Sequence, residues 1–412
     1  MSVLGLLTGA YRRLRSAPAL NPTAARELRV DLESRHPVDE HKEHAIEAVR
    51  WLERAQDATG SGGIARGYAV AWNRYFRARG WQPAYPETTG YAIPTLLEAA
   101  RVFSNPGLAE RARRAADWEI EIQLDTGAVQ GGVIGQNKGP AVFNTGQVML
   151  GWLAMRETTG DGRYSEATLR AGRFLVAQLD ADGLWRRGNS SFARSDSTLY
   201  NARAAWALAE AGVALNEPEF IAGARANLFA VRGRQHPNGW FPDCCLNDPA
   251  RPLLHTIAYT IRGLAEGGRV LSEAALIEGA TAAAGALRDR VRADGWMSGR
   301  FDATWQPTVA WSCLTGEAQM CNNWMRLFAI TGTPAWLEPI PRILAFLKTT
   351  QNRLSHDLGL RGGIKGSWPF NGGYGRFEML NWATKYFIDA LLRHDSLTNS
   401  PANPLTRVHR LA

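Results

Sequence analysis

"SEATLRAGRFLVAQLDADGLW" (Ser165–Trp185) decides how the chain is read. Up to Gln178 it has helical spacing: Ala167, Ala171, Phe174 and Leu175 fall on one side, Glu166, Arg170 and Arg173 on the other. After Gln178 comes a polar turn closed by glycine, then a tryptophan. The same order, helix then Gln then Gly, recurs in "ERAQDATGSGG" at Gln56, "EIQLDTGAVQGG" at Gln123, "RGRQHPNGWF" at Gln235 and "KTTQNRLSHDLGLRGG" at Gln351. In "RVRADGWMSG" Arg292 takes the place of the glutamine. With Gln178 this makes six units on a period of about 55–67 residues, the kind of self-similarity that marks a repeat architecture.

The stretches after the glycine turns are apolar nearly all round: "TTGYAIPTLLEAARVF", "NTGQVMLGWLAMRE", "YNARAAWALAEAG", "HTIAYTIRGLAEGG", "TGEAQMCNNWMRLFAIT" and "NWATKYFIDALLRH". A helix without a wet face is buried on nearly all sides, so these are expected to be inner helices and the Gln-ending ones outer helices. Each outer helix and the inner helix after it are expected to form one unit. Six outer and six inner helices in alternation predict an all-α, single-domain (α/α)6 toroid of six helical hairpins. Pro94 is placed near the start of its helix, where a missing N–H costs little. An open α-solenoid is the competing architecture. The toroid is expected over residues 40–395, with an N-terminal extension at 1–39 and a C-terminal tail at 396–412.

All six inner helices open on polar residues, and in a toroid all six openings share one end. That end is expected to be a funnel lined by Tyr85, Glu87 and Tyr91, by Asn144 and Gln147, by Tyr200, Asn201 and Arg203, by His255 and Tyr259, by Glu317 and Gln319, and by Trp382 and Lys385. Thr88, Asn144, Asn201 and Asn381 have an alternative role as helix N-caps. Capping does not account for His255, Tyr259, Arg203, Glu317 and Lys385 inside an apolar ring, and ionisable groups gathered in a cleft point to a working site. Glu87, His255, Tyr259 and Asn144 are the candidate catalytic residues.

Tryptophans in the turns, Trp240 among them, are candidate sugar-stacking faces, with core packing the alternative. The segment "GGIKGSWPFNGGYG" (Gly362–Gly375) is expected to arch over the opening, with Lys365 or Arg361 meeting an anion. Its glycine spacing is not that of a phosphate loop. No HExxH, GxSxG or GxGxxG is present, and no metal or cofactor is expected.

A net charge of +8 favours an anionic partner. Zinc-finger spacing, an RRM-like signature and a continuous basic run are all missing, which points away from nucleic acid. Four cysteines with no CxxC pattern fit a reducing compartment, and the N-terminal "MSVLGLLTGAYRRLRSAPAL" has its arginines on the wrong side for a secretory signal. A cytoplasmic protein without integral membrane association is expected. The N-terminal stretch reads as a frayed tail or an amphipathic surface helix.

The series "YPETTGYAIPTLL", "FNTGQVMLGWL", "NGWFPDCC", "LLHTIAYTIRGLAEGG", "SCLTGEAQM", "RGGIKGS" and "LNWATKYFIDAL" resembles a bacterial family of six-hairpin (α/α)6 toroid proteins associated with exopolysaccharide loci, of the six-hairpin-glycosidase-like or terpenoid-cyclase-like kind. The likeness spans roughly residues 40 to 395. The family pattern reads FDTGQ where this chain carries Asn144, so this chain is altered there if the aspartate is an acid or base in relatives.

The resemblance and the charge imply an enzyme that cleaves or modifies an acidic, uronate-containing polysaccharide or oligosaccharide, as a polysaccharide lyase or a glycoside hydrolase. Elimination needs a base such as His255 or Tyr259 and neutralisers such as Asn144, Gln147 and Arg203. Hydrolysis needs two carboxylates, Glu87 with Glu317 or Asp302. A glycuronyl C5-epimerase uses the same parts. A terpenoid-cyclase-like enzyme, for which no DDxxD or DxDD motif is found, and a noncatalytic glycan-binding scaffold are the remaining alternatives.

Overall fold

The computed structural model describes residues 21–398 except 74, 77, 137, 191 and 195. The N-terminal stretch read above as a tail or surface helix, and most of the expected C-terminal tail, lie outside the described residues.

The outer helices are α2 (His41–Asp57), α4 (Pro106–Glu121), α6 (Gly162–Gln178), α8 (Pro218–Gly233), α10 (Ala274–Arg288) and α12 (Ile340–Thr350). The inner helices are α3 (Pro86–Val102), α5 (Val142–Thr159), α7 (Ala202–Leu215), α9 (Leu254–Leu271), α11 (Leu314–Thr331) and α13 (Asn381–Thr398). Each inner helix packs on the next, and α13 packs on α3, so the ring is closed. Closure excludes the open solenoid. From Leu254 to Gly268 every residue of α9 is buried, as an all-round apolar sequence demands. The barrel needs close approach between inner helices: a Cβ on Gly146 of α5 would lie 2.6 Å from Ala204 Cα on α7.

The repeat unit is shifted from the sequence reading. The tight antiparallel hairpin joins an inner helix to the outer helix that follows it, because these connections are only a few residues long and turn on one left-handed residue: Ser104, Gly160, Asn216 or Ser272. The first outer helix, α2, therefore packs on the last inner helix, α13. Pro94 also differs from expectation. It lies inside α3, well after Pro86 at the helix start, and its missing N–H frees the carbonyl of Gly90. Gly151 of α5 presses against that carbonyl, where a Cβ would come within 2.4 Å.

At Gln56, Gln123, Gln235 and Gln351 the recurring glutamine is a clasp between successive outer helices, whereas the Gln178 turn is held from the neighbouring helix, Asn227 Nδ2 donating to Gly183 O at 2.9 Å. Gln123 Nε2 donates to Gly127 O in its own turn and to Ala167 O of α6, and Gln235 Nε2 donates likewise to Gly239 O and Gly279 O. Gln351 Nε2 donates to His44 O of α2, which closes the outer ring. At Arg292 the glutamine is absent, and the turn there is held by its own hydrogen bonds, Arg292 N donating to Trp296 O and Trp296 N to Asp294 Oδ1, and by close packing on the next outer helix. Gly295 has φ +85°, and a Cβ on it would sit 2.1 Å from Arg342 O of α12. Gly295→Ala is expected to destabilise the protein by about 2–3 kcal/mol, from left-handed backbone plus overpacking. Thermal or urea unfolding of the variant checks this.

The long outer-to-inner connections cross one end of the barrel and pair with one another, which gives short strands in a helical protein. β1 (Gly67–Asn73) lies between β2 (Ala78–Trp81) and β5 (Glu378–Leu380), antiparallel to both, with Tyr68 opposite Trp81 and Gly67 opposite Leu380. β3 (Ser312–Cys313) pairs with β4 (Ser367–Trp368).

The residue 39 boundary cuts off a helix that belongs to the body. In α1 (Pro22–Glu33) the N-cap Asn21 donates to Val70 O of β1, and Glu27 and Asp31 are buried. The described part of the last inner helix likewise runs past 395, to Thr398. No helix among the described residues is long and apolar enough to cross a membrane.

Candidate active site

Most of the polar residues that open the inner helices hold the crossing loops in place. Thr89, Thr145 and Thr384 each accept a loop amide, from Ile64, Val129 and Ile364 at 2.9–3.0 Å, while donating to a carbonyl four residues back in their own helix. Asn144 donates to Gln130 O at 2.9 Å, Asn381 to Ala65 O at 2.9 Å and Asn201 to Asn189 Oδ1 at 2.9 Å. None of these asparagines caps its helix through its side chain. Glu317 is committed in the same way: it accepts Met297 N at 2.7 Å and the Ser312 hydroxyl at 2.6 Å, fully buried. Asp302 is bound into its own turn by Thr304 and Gln306.

Asn144 gives a test. A carboxylate there would face the Gln130 carbonyl without a donor, so Asn144→Asp is expected to cost about 1–3 kcal/mol of stability and to leave turnover no higher. Unfolding curves and rates measured side by side decide it.

Two basic residues expected at the opening are elsewhere. Lys365 is fully buried under α1, 2.5 Å from Asp31 and 3.3 Å from Glu27, so it holds the N-terminal helix down. Arg361 forms a two-pronged pair with Glu47 of α2 at 3.0 and 3.1 Å. The turn tryptophans are largely structural: Trp240 is buried edge-to-face against Trp305, and Trp185 donates to Leu175 O.

What remains is a compact, buried group of proton-exchanging and aromatic side chains. The Tyr85 hydroxyl donates to Glu87 at 2.5 Å. Burial pushes Glu87 up to about 7, against the opposing pull of that hydrogen bond and of the Arg66 and Arg203 charges. His255 Nδ1 lies 2.9 Å from Gln319 Oε1. A carbonyl oxygen only accepts, which assigns the proton to Nδ1 and leaves Nε2 with a free lone pair. Burial holds His255 down to about 4, with the Arg203 charge acting in the same direction. The pair is thus set as a protonated acid and a neutral base near pH 6.

Tyrosines line the space around them. The Tyr259 ring lies 4.5 Å from His255, 4.8 Å from Phe143 and 6.3 Å from Tyr386, and Tyr91 stands 5.6 Å from Tyr386. The hydroxyls of Tyr91, Tyr259 and Tyr386 are buried without a hydrogen bond of good geometry in the protein. Burial, reinforced by the neighbouring tyrosines, raises Tyr259 well above 10, which keeps its hydroxyl protonated and able to donate a hydrogen bond. Tyr200 packs edge-on against Phe143.

Cations hang over these rings. Arg203 Nε donates to Gln147 Oε1 at 2.5 Å, with its guanidinium 5.3 Å from the Tyr259 ring and 5.1 Å from that of Trp206. Lys385 pairs with Asp389 at 2.6 Å and lies 4.4 Å from the Tyr386 ring. Trp382 donates to the Tyr374 hydroxyl at 2.9 Å beneath Arg66.

Sequence reasoning missed Arg66, Tyr374 and Tyr386. Tyr374 lies in the glycine-rich segment expected over the opening, and its ring stands 5.3 Å from His255. Tyr386 looked like one more apolar position in α13. The β1–β2 tip reaches the loop before α7, with the exposed rings of Tyr75 and Phe192 5.1 Å apart. At the far end of the barrel His41, His394 and Asp395 bring possible metal-ligand atoms within 4.8 Å of one another, with Lys348 Nζ 3.3 Å from His41.

Solved structures share this architecture. An unsaturated glucuronyl hydrolase specific for heparin is 17% identical, with 87% of this chain and 98% of the other covered and a TM-score of 0.69. The chain has the (α/α)6 fold of such enzymes. An unsaturated glucuronyl hydrolase from Bacillus sp. GL1 aligns at 17% identity over 86% of this chain and 96% of the other, TM-score 0.66. A cellobiose 2-epimerase from Bacillus thermoamylovorans aligns at 10% identity over 90% and 99%, TM-score 0.63. No protein-family model and no curated protein sequence matches the chain.

Proposed function

We propose that the chain is a carbohydrate-active enzyme that hydrolyses an acidic, uronate-containing saccharide, with Glu87 as proton donor, His255 as base and Arg203 as the cation facing the carboxylate. The observation that carries this reading is a buried acid and a buried base among the same tyrosines: the His255 ring stands 4.5 Å from Tyr259 and 5.3 Å from Tyr374, the Glu87 charge acts on both of those hydroxyls, and burial moves Glu87 up to about 7 and His255 down to about 4. Enzymes tune acids and bases apart in this way to work at one pH.

Ordinary glycoside hydrolysis uses two carboxyl groups across the bond. Among the described residues, Glu87 is the one carboxyl at the inner-helix starts that is held neither in a loop tether nor in an ion pair. One acid and one base suffice when the uronate is 4,5-unsaturated, because such a sugar is an enol ether. Glu87 then protonates C4, water adds at C5 as His255 takes its proton, and the resulting hemiketal opens and expels the neighbouring sugar. The similarity to unsaturated glucuronyl hydrolases supports this choice of substrate. Arg203, Arg66 and Lys385 above aromatic rings suit a ligand that is a sugar and an anion at once. A cytoplasmic location accords with four free, buried cysteines.

The test is a panel of acidic and neutral polysaccharides and of the oligosaccharides that lyases make from them, followed by release of reducing ends. Turnover limited to uronate-bearing members is expected; turnover limited to neutral sugars contradicts the proposal.

A further inference from the structure

A run of ring contacts leads outward from Glu87 to solvent. The Tyr85 hydroxyl donates to Glu87, and the Tyr85 ring stands edge-on to Trp382 at 6.3 Å. Arg66 lies over Trp382 at 5.0 Å and over Phe76 at 4.6 Å, so one guanidinium joins the pocket to the β1–β2 turn. Phe76 meets Tyr75 edge-to-face at 4.8 Å, and Tyr75 meets Phe192 at 5.1 Å. Exposure rises along the way: Trp382 is 5% exposed, Phe76 half-buried, Tyr75 44% and Phe192 49% exposed.

Both loops that carry the outer pair are tied to the frame. Asn73 Oδ1 accepts the amides of Tyr75 and Phe76, each at 2.9 Å, and the Asn73 side chain donates to Glu378 of β5, which also pairs with Arg66 at 3.1 Å. In the other loop Asn189 Nδ2 donates to Asp196 O at 2.7 Å, while Asn189 Oδ1 accepts from Asn201, the residue before α7, at 2.9 Å. Rings left open to water on braced loops contribute little to the core, and loops fixed on a rigid scaffold are where binding residues gather. The chemistry of the pocket names the occupant. A 4,5-unsaturated uronate has no sugar linked at C4, so the substrate chain continues from the pocket only on the leaving-group side. Flat aromatic faces suit the C–H face of a pyranose. We propose that Tyr75 and Phe192 form an outer subsite that stacks a pyranose on the leaving-group side of the substrate, beyond the bond that is cleaved. The subsite rests on the hydrolytic function proposed above and gives the enzyme a preference for oligosaccharides longer than a disaccharide.

Unsaturated di- and tetrasaccharides released by lyases from hyaluronan, chondroitin and heparosan are compared on the full chain. A tetrasaccharide is expected to show a KM roughly tenfold lower than its disaccharide at similar kcat, because stacking away from the reacting centre is uniform binding. In the double variant Tyr75→Ala, Phe192→Ala the advantage of length falls to near one, whereas Tyr75→Phe, which keeps the ring, preserves it. Calorimetric binding of the same sugars to Glu87→Gln, with and without the two alanines, separates the subsite from the chemistry. Affinity that grows with length and loses that growth in the double variant supports the subsite; if turnover is then absent in the unaltered chain, hydrolysis alone is contradicted. Indistinguishable binding of the two lengths, or a length preference that survives the double variant, would overturn the subsite. So would a concentration-dependent dimer in sedimentation that the double variant dissociates, because the pair would then join two copies of the chain.

Discussion

Glu87→Gln is expected to lower kcat on an acidic oligosaccharide by roughly 10²–10⁴ with little change in affinity, the range typical for loss of a positioned general acid. Gln keeps the shape and a hydrogen-bonding carbonyl for Tyr85, so the change isolates the proton. Burial raises Glu87 to about 7, which keeps it protonated below that pH and strips it of its proton above. Turnover in the unaltered protein should therefore fall as pH rises through about 7, and the residual activity of Glu87→Gln should lack that alkaline limb. An unchanged limb in the variant would assign the limb to another group.

His255→Gln is expected to cost a comparable factor, roughly 10²–10⁴, and to remove the acid limb instead. His255 is held down to about 4, so its Nε2 is free above that pH and blocked below it. The rate profile of the unaltered protein is thus a plateau bounded near 4 and near 7. Overall stability hides the same two groups. A His whose folded value is depressed loses stabilisation as pH falls from about 6.5 toward 4, and a Glu whose folded value is raised loses it as pH rises from about 4.5 toward 7. Their slopes oppose across nearly the same window and largely cancel. Activity against pH, not melting temperature against pH, is where the pair becomes visible.

The ring was legible because its two helix types obey different burial rules. Gln56, Gln123, Gln235 and Gln351 marked the units correctly since each clasps its own turn to the next outer helix. What the spacing concealed was which neighbours form the tight hairpin, a matter of connection length and of single left-handed residues such as Asn216 and Ser272. The short strands were missed because they arise when loops from opposite ends of the sequence, around residues 67 and 380, meet over the barrel.

At the site, residue type located the funnel but did not sort its members. Glu87 and Glu317 occupy similar first-turn positions in their helices, yet Ser312 and Met297 immobilise one while the other meets only a tyrosine hydroxyl. Lys365 and Asp31 are separated by most of the chain, so no local reading finds their pairing. Tyr386 and Arg66 become part of the pocket only when the last inner helix closes against the first.

The most direct measurement is the ultraviolet absorbance of a 4,5-unsaturated uronyl disaccharide incubated with the purified chain, run beside Glu87→Gln. Loss of absorbance at a rate that collapses in the variant is the predicted result, since protonation at C4 destroys the chromophore. A flat trace with active-site binding intact, or a rise in absorbance on the saturated polymer, would contradict hydrolysis of an unsaturated uronate and move the same acid and base to epimerisation or elimination.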